Sequence, residues 1–184
     1  MKRLPYTLKE ALERKSAEIE KEKALDTLKK TEQKYRSIFE NAAEGIFITS
    51  KDGRFLEANP AMVKMLGYES FEEMQLEIVD VSKKLYVDPE DRKRAINKTE
   101  TQGFIKSFET EFYKKDGSKI LISLIGTAFY DEIGKSLYYE GICEDITQRK
   151  STEEALIRTT ESLRKTICAI IHVIASVVEA KDPY

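Results

Sequence analysis

Gly45-Ile46-Phe47-Ile48-Thr49-Ser50 runs into Lys51-Asp52-Gly53-Arg54 and out again through Phe55-Leu56-Glu57-Ala58 to Asn59-Pro60. The first five residues form a β-type run. Asp-Gly readily takes the positive φ of a type I′ turn, so Phe55–Ala58 is expected to return as the second strand of a hairpin. Asn59 then reads as a helix N-cap and Pro60 as the first helical residue. That helix carries Met62, Val63, Met65 and Leu66 and stops at Gly67, a C′ glycine. A less regular segment follows, with short turns around Phe71 to Met74.

The same signals repeat downstream. Asp88-Pro89-Glu90-Asp91 opens a second helix, running to about Thr101 and ended by Gly103. Phe104 to Tyr113 alternates as a strand, with Phe108 and Phe112 on one face, and Lys115-Asp116-Gly117-Ser118 forms a second Asp-Gly hairpin. Ile120-Leu121-Ile122-Ser123-Leu124-Ile125 is apolar on both faces. One face can fill a core; the other needs a cover, which a preceding helix offers through Ile38 and Phe39. A turn at Asp131 to Lys135 leads into the last strand, Leu137 to Ile146. Two strands, then helices, then three strands define an α+β domain: a five-stranded antiparallel sheet with helices on one face.

Long helices flank this middle. From Thr7 to about Gln33 there is no Gly or Pro, and Leu8, Leu12 and Ile19, then Leu25, Leu28, Tyr35 and Phe39, form a stripe whose register slips near Glu22. Such an amphipathic helix is either paired with a partner helix or a solvated linker. From Gln148 to Ala180, Leu156, Leu163, Ile170 and Val177 recur every seventh residue, with Thr152, Thr159, Thr166, Val173 and Ala180 at the d-like positions. A heptad holds one seam toward a partner along a supercoil, and threonine at d makes that seam shiftable. A second stripe, Ile167, Ile171, Ile174 and Val178, has nothing in this sequence to cover it, so the natural protein is expected to continue beyond Tyr184. The expected division is 1–34, 35–147 and 148–184.

Composition excludes several functions. Of 184 residues 35% are charged, and 31 Lys+Arg against 33 Asp+Glu give a net charge of -2. That balance leaves no basic footprint for nucleic acid and no polybasic membrane patch. The two cysteines, Cys143 and Cys168, form neither a disulfide framework nor a zinc site, and one histidine, His172, rules out a multi-imidazole centre. The N-terminal residues lack an apolar signal core, and the longest apolar stretch, Ile167 to Val178, falls short of a membrane span. A soluble, cytoplasmic chain is expected, and without GxxxxGK[ST], GxGxxG or GxSxG, bond-making chemistry is not.

The middle zone resembles a PAS domain with its PAC half. The resemblance rests on Ile38-Phe39-Glu40-Asn41-Ala42, Gly45-Ile46-Phe47-Ile48, Asp52-Gly53, Ala58-Asn59-Pro60-Ala61 and Leu66-Gly67-Tyr68. It continues through Asp88-Pro89-Glu90-Asp91 and Lys115-Asp116-Gly117-Ser118 to Gly141-Ile142-Cys143-Glu144-Asp145-Ile146-Thr147. It implies a non-catalytic sensory or scaffolding module, often dimeric, that relays a change of state to an output domain. Ala169-Ile170-Ile171 through Lys181-Asp182-Pro183-Tyr184 looks like the entry helix of an HD-GYP domain, a family that hydrolyses cyclic di-GMP at a metal pair. Arg3-Leu4-Pro5-Tyr6 through Leu12 looks like the exit of a receiver domain. Together they imply the middle of a receiver–PAS–HD-GYP response regulator working as a homodimer. The alternative is the sensor segment of a histidine kinase or diguanylate cyclase.

Alternation on the last strand puts Tyr139, Gly141, Cys143 and Asp145 on one face. The resemblance turns Cys143 toward the domain's cavity, alongside Met62, Met65 and Leu66. These residues either line a ligand pocket or fill a core. Haem is disfavoured because His172 lies outside the domain, and photoreactive flavin because no Asn-Cys-Arg-Phe-Leu motif exists. A small apolar ligand or a packed core remains. By resemblance, Asp145, Ile146 and Thr147 carry the relay, with Thr147 capping the exit helix; the same residues also read as a plain cap. His172, lacking an acidic follower, reads as packed or interfacial rather than as a phospho-acceptor.

Overall fold

A computed structural model describes residues 6–132 and 136–181, with side chains for 13–132, 138–174 and 176. The elements run α1 Tyr6–Asn41, β1 Gly45–Ser50, β2 Phe55–Ala58, α2 Pro60–Leu66, α3 Phe71–Glu77, α4 Val81–Lys84 and α5 Pro89–Gln102. Then come β3 Phe104–Tyr113, β4 Lys119–Tyr130, β5 Ser136–Asp145 and α6 Thr147–Lys181. The five strands form one antiparallel sheet in the order β2-β1-β5-β4-β3. The first and last strands thus meet mid-sheet, Gly45 opposite Cys143 and Ser50 opposite Tyr138. The α+β architecture is the expected one. Part of the turn expected at Asp131 to Lys135 lies outside the described residues.

Both Asp-Gly hairpins form, with a different turn from the one expected. Gly53 and Gly117 both adopt φ +81, while Ser107 is the one non-glycine with positive φ among the described residues. Asp52 and Asp116 therefore keep negative φ, which a type I′ turn would not allow. Instead Gly53 N donates to Ser50 O (3.0 Å) and Ser50 N to Arg54 O (2.8 Å), a three-residue loop with glycine alone in the left-handed position. The cost of positive φ then falls only on the residue that lacks a Cβ.

The helices pack on the sheet's inner face as expected. α2 is capped by Asn59 Oδ1 and ends on Gly67 at φ 82. The irregular stretch resolves into two short helices, capped by Ser70 and Asp80, which bury Met74 and Val81. Their hydrophobic residues join Phe47, Phe55, Leu66, Phe112 and Ile122 in one core. On β3 a break in register between Ile105 and Phe108, with Ser107 at φ 53, resets the alternation. Thr110 and Phe112 thus point inward and Phe108 is half-buried. On β4, Ile120, Ile122 and Leu124 are buried, whereas Ile125 faces outward and stays exposed.

α1 covers the outer face only in part. Phe39 is half-buried, but Ile38 remains 60% exposed. Between its last turns and the sheet runs a groove of about 220 Å³, lined by Tyr35, Ile38, Ile46, Ile48, Ile125 and Ile142. The expected lid is a partial one.

Candidate functional site

The two ends of the sheet are tied to the two long helices by different devices. At the entrance, Asn59 is fully buried. Its Oδ1 accepts from Ile46 N and Met62 N, both at 2.9 Å, and its Nδ2 donates to Phe39 O (3.1 Å) and Glu44 O (3.0 Å). One side chain thus joins the end of α1, the start of β1 and the first turn of α2, and its hydrogen-bonding capacity is fully used. Sequence reasoning found the cap and missed the clamp. The partners lie 13 to 20 residues away, beyond any local pattern.

At the exit, the expected cap is a different contact. Thr147 Oγ1 accepts from Leu121 N on β4 (2.9 Å) instead of from its own helix. Asp145 Oδ1 accepts from Thr147 N (2.9 Å), so the first-turn cap is supplied by aspartate. Ile146 is fully buried, and its N–H donates to Leu121 O (2.9 Å). Lys150 Nζ pairs with Glu109 on β3 at 2.8 Å. Asp145, Ile146 and Thr147 therefore form one junction between sheet and α6.

Inside the domain, the residues expected to share a pocket divide into two groups. Met62, Met65, Leu66 and Cys143 come together: Cys143 Sγ lies 3.4 Å from Met62 Sδ and 3.9 Å from Met65 Sδ, and Leu66 is fully buried in the same core. The group is close-packed, since a Cβ on Gly45 would fall 2.9 Å from both Cys143 Sγ and Met62 Sδ. Burial pushes the Cys143 thiol up to about 12, so it stays protonated and unreactive.

Tyr139 stands apart, about 13 Å further along β5 at strand rise. Its hydroxyl donates to Glu100 Oε1 on α5 (2.6 Å), and its ring lies 5.5 Å from the Arg92 guanidinium. Arg92 is the residue that sequence reasoning missed. It is 7% exposed and donates to Thr49 Oγ1 at 3.1 Å. Tyr86 is buried against Phe112, and that burial raises its phenol above the ordinary range. The signal lay in spacing, because Arg92, Ala95 and Thr99 share one face of α5, the buried one. A crevice of about 20 Å³, room for one water, lies among Arg92, Tyr86, Tyr139, Ile96, Ile105 and Leu124. Gly141 closes its floor, with the Phe47 ring packed directly on it.

Along α6, Leu156, Leu163 and Ile170 are exposed on the single chain, and the Val177 side chain lies outside the described residues. His172 and Cys168 are exposed too. No described helix is long and apolar enough to cross a membrane.

Known proteins resemble this chain in sequence and fold. The chain is 25% identical over 137 residues to the sensor histidine kinase TmoS of Ectopseudomonas mendocina, covering 72% of this chain and 14% of that protein. It is 28% identical over 138 residues to a methyl sulfide methyltransferase-associated sensor of Methanosarcina acetivorans, 74% of this chain and 13% of that one. It is also 25% identical over 131 residues to the probable diguanylate cyclase DgcE of Escherichia coli, 69% of this chain and 11% of that one. The chain thus spans only a small part of each of these relatives. Among solved structures, the PAS domain of a protein from Colwellia psychrerythraea superposes with a TM-score of 0.54 at 25% identity, covering 63% of this chain and 97% of that one. The family model of the PAS domain matches residues 43–148, the whole sheet together with α2 to α5. With more than half its length matched and its sheet order and helical layer in agreement, the chain belongs to the PAS domain family.

Proposed function

We propose that this PAS module works as a parallel homodimer that passes conformational change along its flanking helices to an output domain following α6. The observation that carries the reading is the exit junction, where Thr147, Ile146 and Asp145 fix α6 to one residue of β4 and to the sheet's last strand. Any displacement of β4 or β5 is delivered to α6 through rigid contacts rather than a loose linker. The heptad seam supports pairing, since Leu163 is 60% exposed on the single chain. The hydroxyls of Thr152, Thr159 and Thr166 donate to carbonyls four residues back, which leaves their methyls available to a seam.

The output domain is an HD-GYP phosphodiesterase on the resemblance of the C-terminal residues. The names of the relatives favour a second reading, the sensor segment of a histidine kinase or diguanylate cyclase. In either case the chain itself carries the sensing and relay step. Spin labels on Ser162→Cys in a Cys168→Ser background test the dimer. A parallel pair at ordinary helix separation gives one interspin distance of about 15–25 Å. No dipolar coupling at tens of micromolar chain overturns the proposal.

A further inference from the structure

The groove on the outer face of the sheet, under the end of α1, is bordered by two carboxylates without a cation. Glu57 of β2 and Glu140 of β5 both stand opposite Ile48 of β1. Two strand spacings put their Cα atoms about 10 Å apart, a span across which two glutamate side chains reach one common ion. Glu140 is half-buried, and neither carboxylate pairs with a lysine or arginine among the described residues. No basic residue lines the groove, and Arg36 at its mouth is held by Glu32 at 3.3 Å. Burial, and then Glu57, raise the Glu140 carboxyl above its ordinary range; burial, Glu57 and Glu140 do the same to the Tyr35 phenol. The next row of the sheet is aliphatic. Ile46 lies opposite Ile142 and Ile142 opposite Ile125, with Ile38 of α1 on the other wall. The groove therefore has an anionic end and an apolar end, and its volume of about 220 Å³ far exceeds the 20 Å³ of the inner crevice.

We propose that this groove binds a small alkylammonium ion, a protonated primary amine of about four to six carbons. Its ammonium lies over Ile48 between the Glu57 and Glu140 carboxylates, and the Tyr35 hydroxyl accepts a third hydrogen bond from it. The donors of an ammonium are thereby all met by oxygen. The alkyl chain runs along Ile142 toward Ile125, under Ile38. Two residues along β5 advance about 7 Å and the step to β4 adds about 5 Å sideways, a path of about 8 Å that six carbons fill. At about 30 Å³ for a unit the size of water, 220 Å³ holds roughly seven non-hydrogen atoms. A diamine is disfavoured because its second charge falls among isoleucines, and a carboxylate is repelled at the acidic end. The occupant touches α1 and β5 together, on the opposite side of the sheet from α2–α5. The inference goes beyond the relay proposed above and does not depend on it.

The test titrates the purified chain with hexylamine at neutral pH, where an alkylamine is protonated as lysine is. The readout is the isoleucine methyl signals, assigned by single valine substitutions. Binding predicts saturable shifts at Ile46, Ile125 and Ile142, with Ile105 and Ile122 of the inner face unmoved. Hexylamine is expected to bind about tenfold tighter than butylamine, since two further methylenes leave water. Hexamethylenediamine and hexanoate are each expected to bind at least about tenfold more weakly than hexylamine. Glu57→Gln and Glu140→Gln keep the shape and remove one charge each. Each is expected to weaken hexylamine about tenfold, and the double variant to abolish the shifts. No saturable shift overturns the proposal, as does unchanged binding in the double variant. Hexanol binding as tightly as hexylamine overturns the cation, and shifts confined to Ile105 and Ile122 overturn the site. Outer isoleucine signals that move with chain concentration and not with amine give the groove to a second copy, which also overturns it. The shifts are read on each chain, so the groove stands or fails whatever distance the Ser162 labels report.

Discussion

Replacing Asn59 tests whether one side chain holds the entrance of the domain together. Asn59→Ala deletes four hydrogen bonds of 2.9 to 3.1 Å at a fully buried position. At about 1 kcal/mol net for each, the loss is about 4 kcal/mol. A domain of this kind has roughly 5–15 kcal/mol in total, so the variant is left marginal. Asn59→Ser separates the two roles of the residue. Serine caps α2 as well as asparagine does but cannot reach back to Phe39 O and Glu44 O, so it should recover only the cap, about 1 kcal/mol. Urea unfolding at 25 °C, followed by circular dichroism at 222 nm and by the tyrosine near-ultraviolet bands, measures both. With a slope of roughly 1–3 kcal/mol/M, the alanine midpoint falls by about 2 M. An alanine variant losing less than about 1 kcal/mol, or a serine variant as stable as the parent, refutes the clamp and leaves Asn59 an ordinary helix cap.

Gly141→Ala places a methyl into the ring of Phe47, its cross-strand partner, and is expected to cost about 1–3 kcal/mol in the same unfolding assay. A neutral result would mean that the Phe47 ring is free to move off the strand. Of the two thiols, exposed Cys168 should react with an aromatic disulfide in the native chain and buried Cys143 only on unfolding. Because burial holds the Cys143 pKa near 12 against 9.0 for a free thiol, the folded state keeps a proton that the unfolded state releases. Stability should therefore fall as pH rises above 9, with a Cys143 contribution of up to about 1.4 kcal/mol per pH unit that Cys143→Ala removes from the slope.

Local signals carried far in the sequence because Asp-Gly, Asn-Pro and Asp-Pro each act within a few residues. The first four strands, α2 and α5 stand where those pairs put them. What local signals could not reveal is where a side chain goes once the chain has folded. Asp52-Gly53 announced a hairpin but not its turn type, which depends on the backbone of the aspartate. Asn59 read as a cap because its other partners belong to α1 and the residues before β1. Thr147 read the same way, although its hydroxyl crosses to β4. Arg92 sits in Asp91-Arg92-Lys93-Arg94, a charge run with every appearance of a solvated face. Only the shared face with Ala95 and Thr99 separates it from its neighbours. Alternation put Cys143 and Tyr139 on one face of β5, and both are buried as the resemblance implied for Cys143, but alternation has no measure of distance along the strand, so two separate neighbourhoods looked like one.

Leu121 gives both its backbone groups to the exit junction: its N–H goes to Thr147 and its carbonyl to Ile146. That makes a fulcrum of a single residue beneath a helix of 35 residues. At 1.5 Å per residue this arm is about 52 Å long, so tilting it by about 5° swings its far end by roughly 4–5 Å, close to one helical pitch. A strand movement too small to alter the fold is thereby magnified into a displacement as large as the step between successive turns.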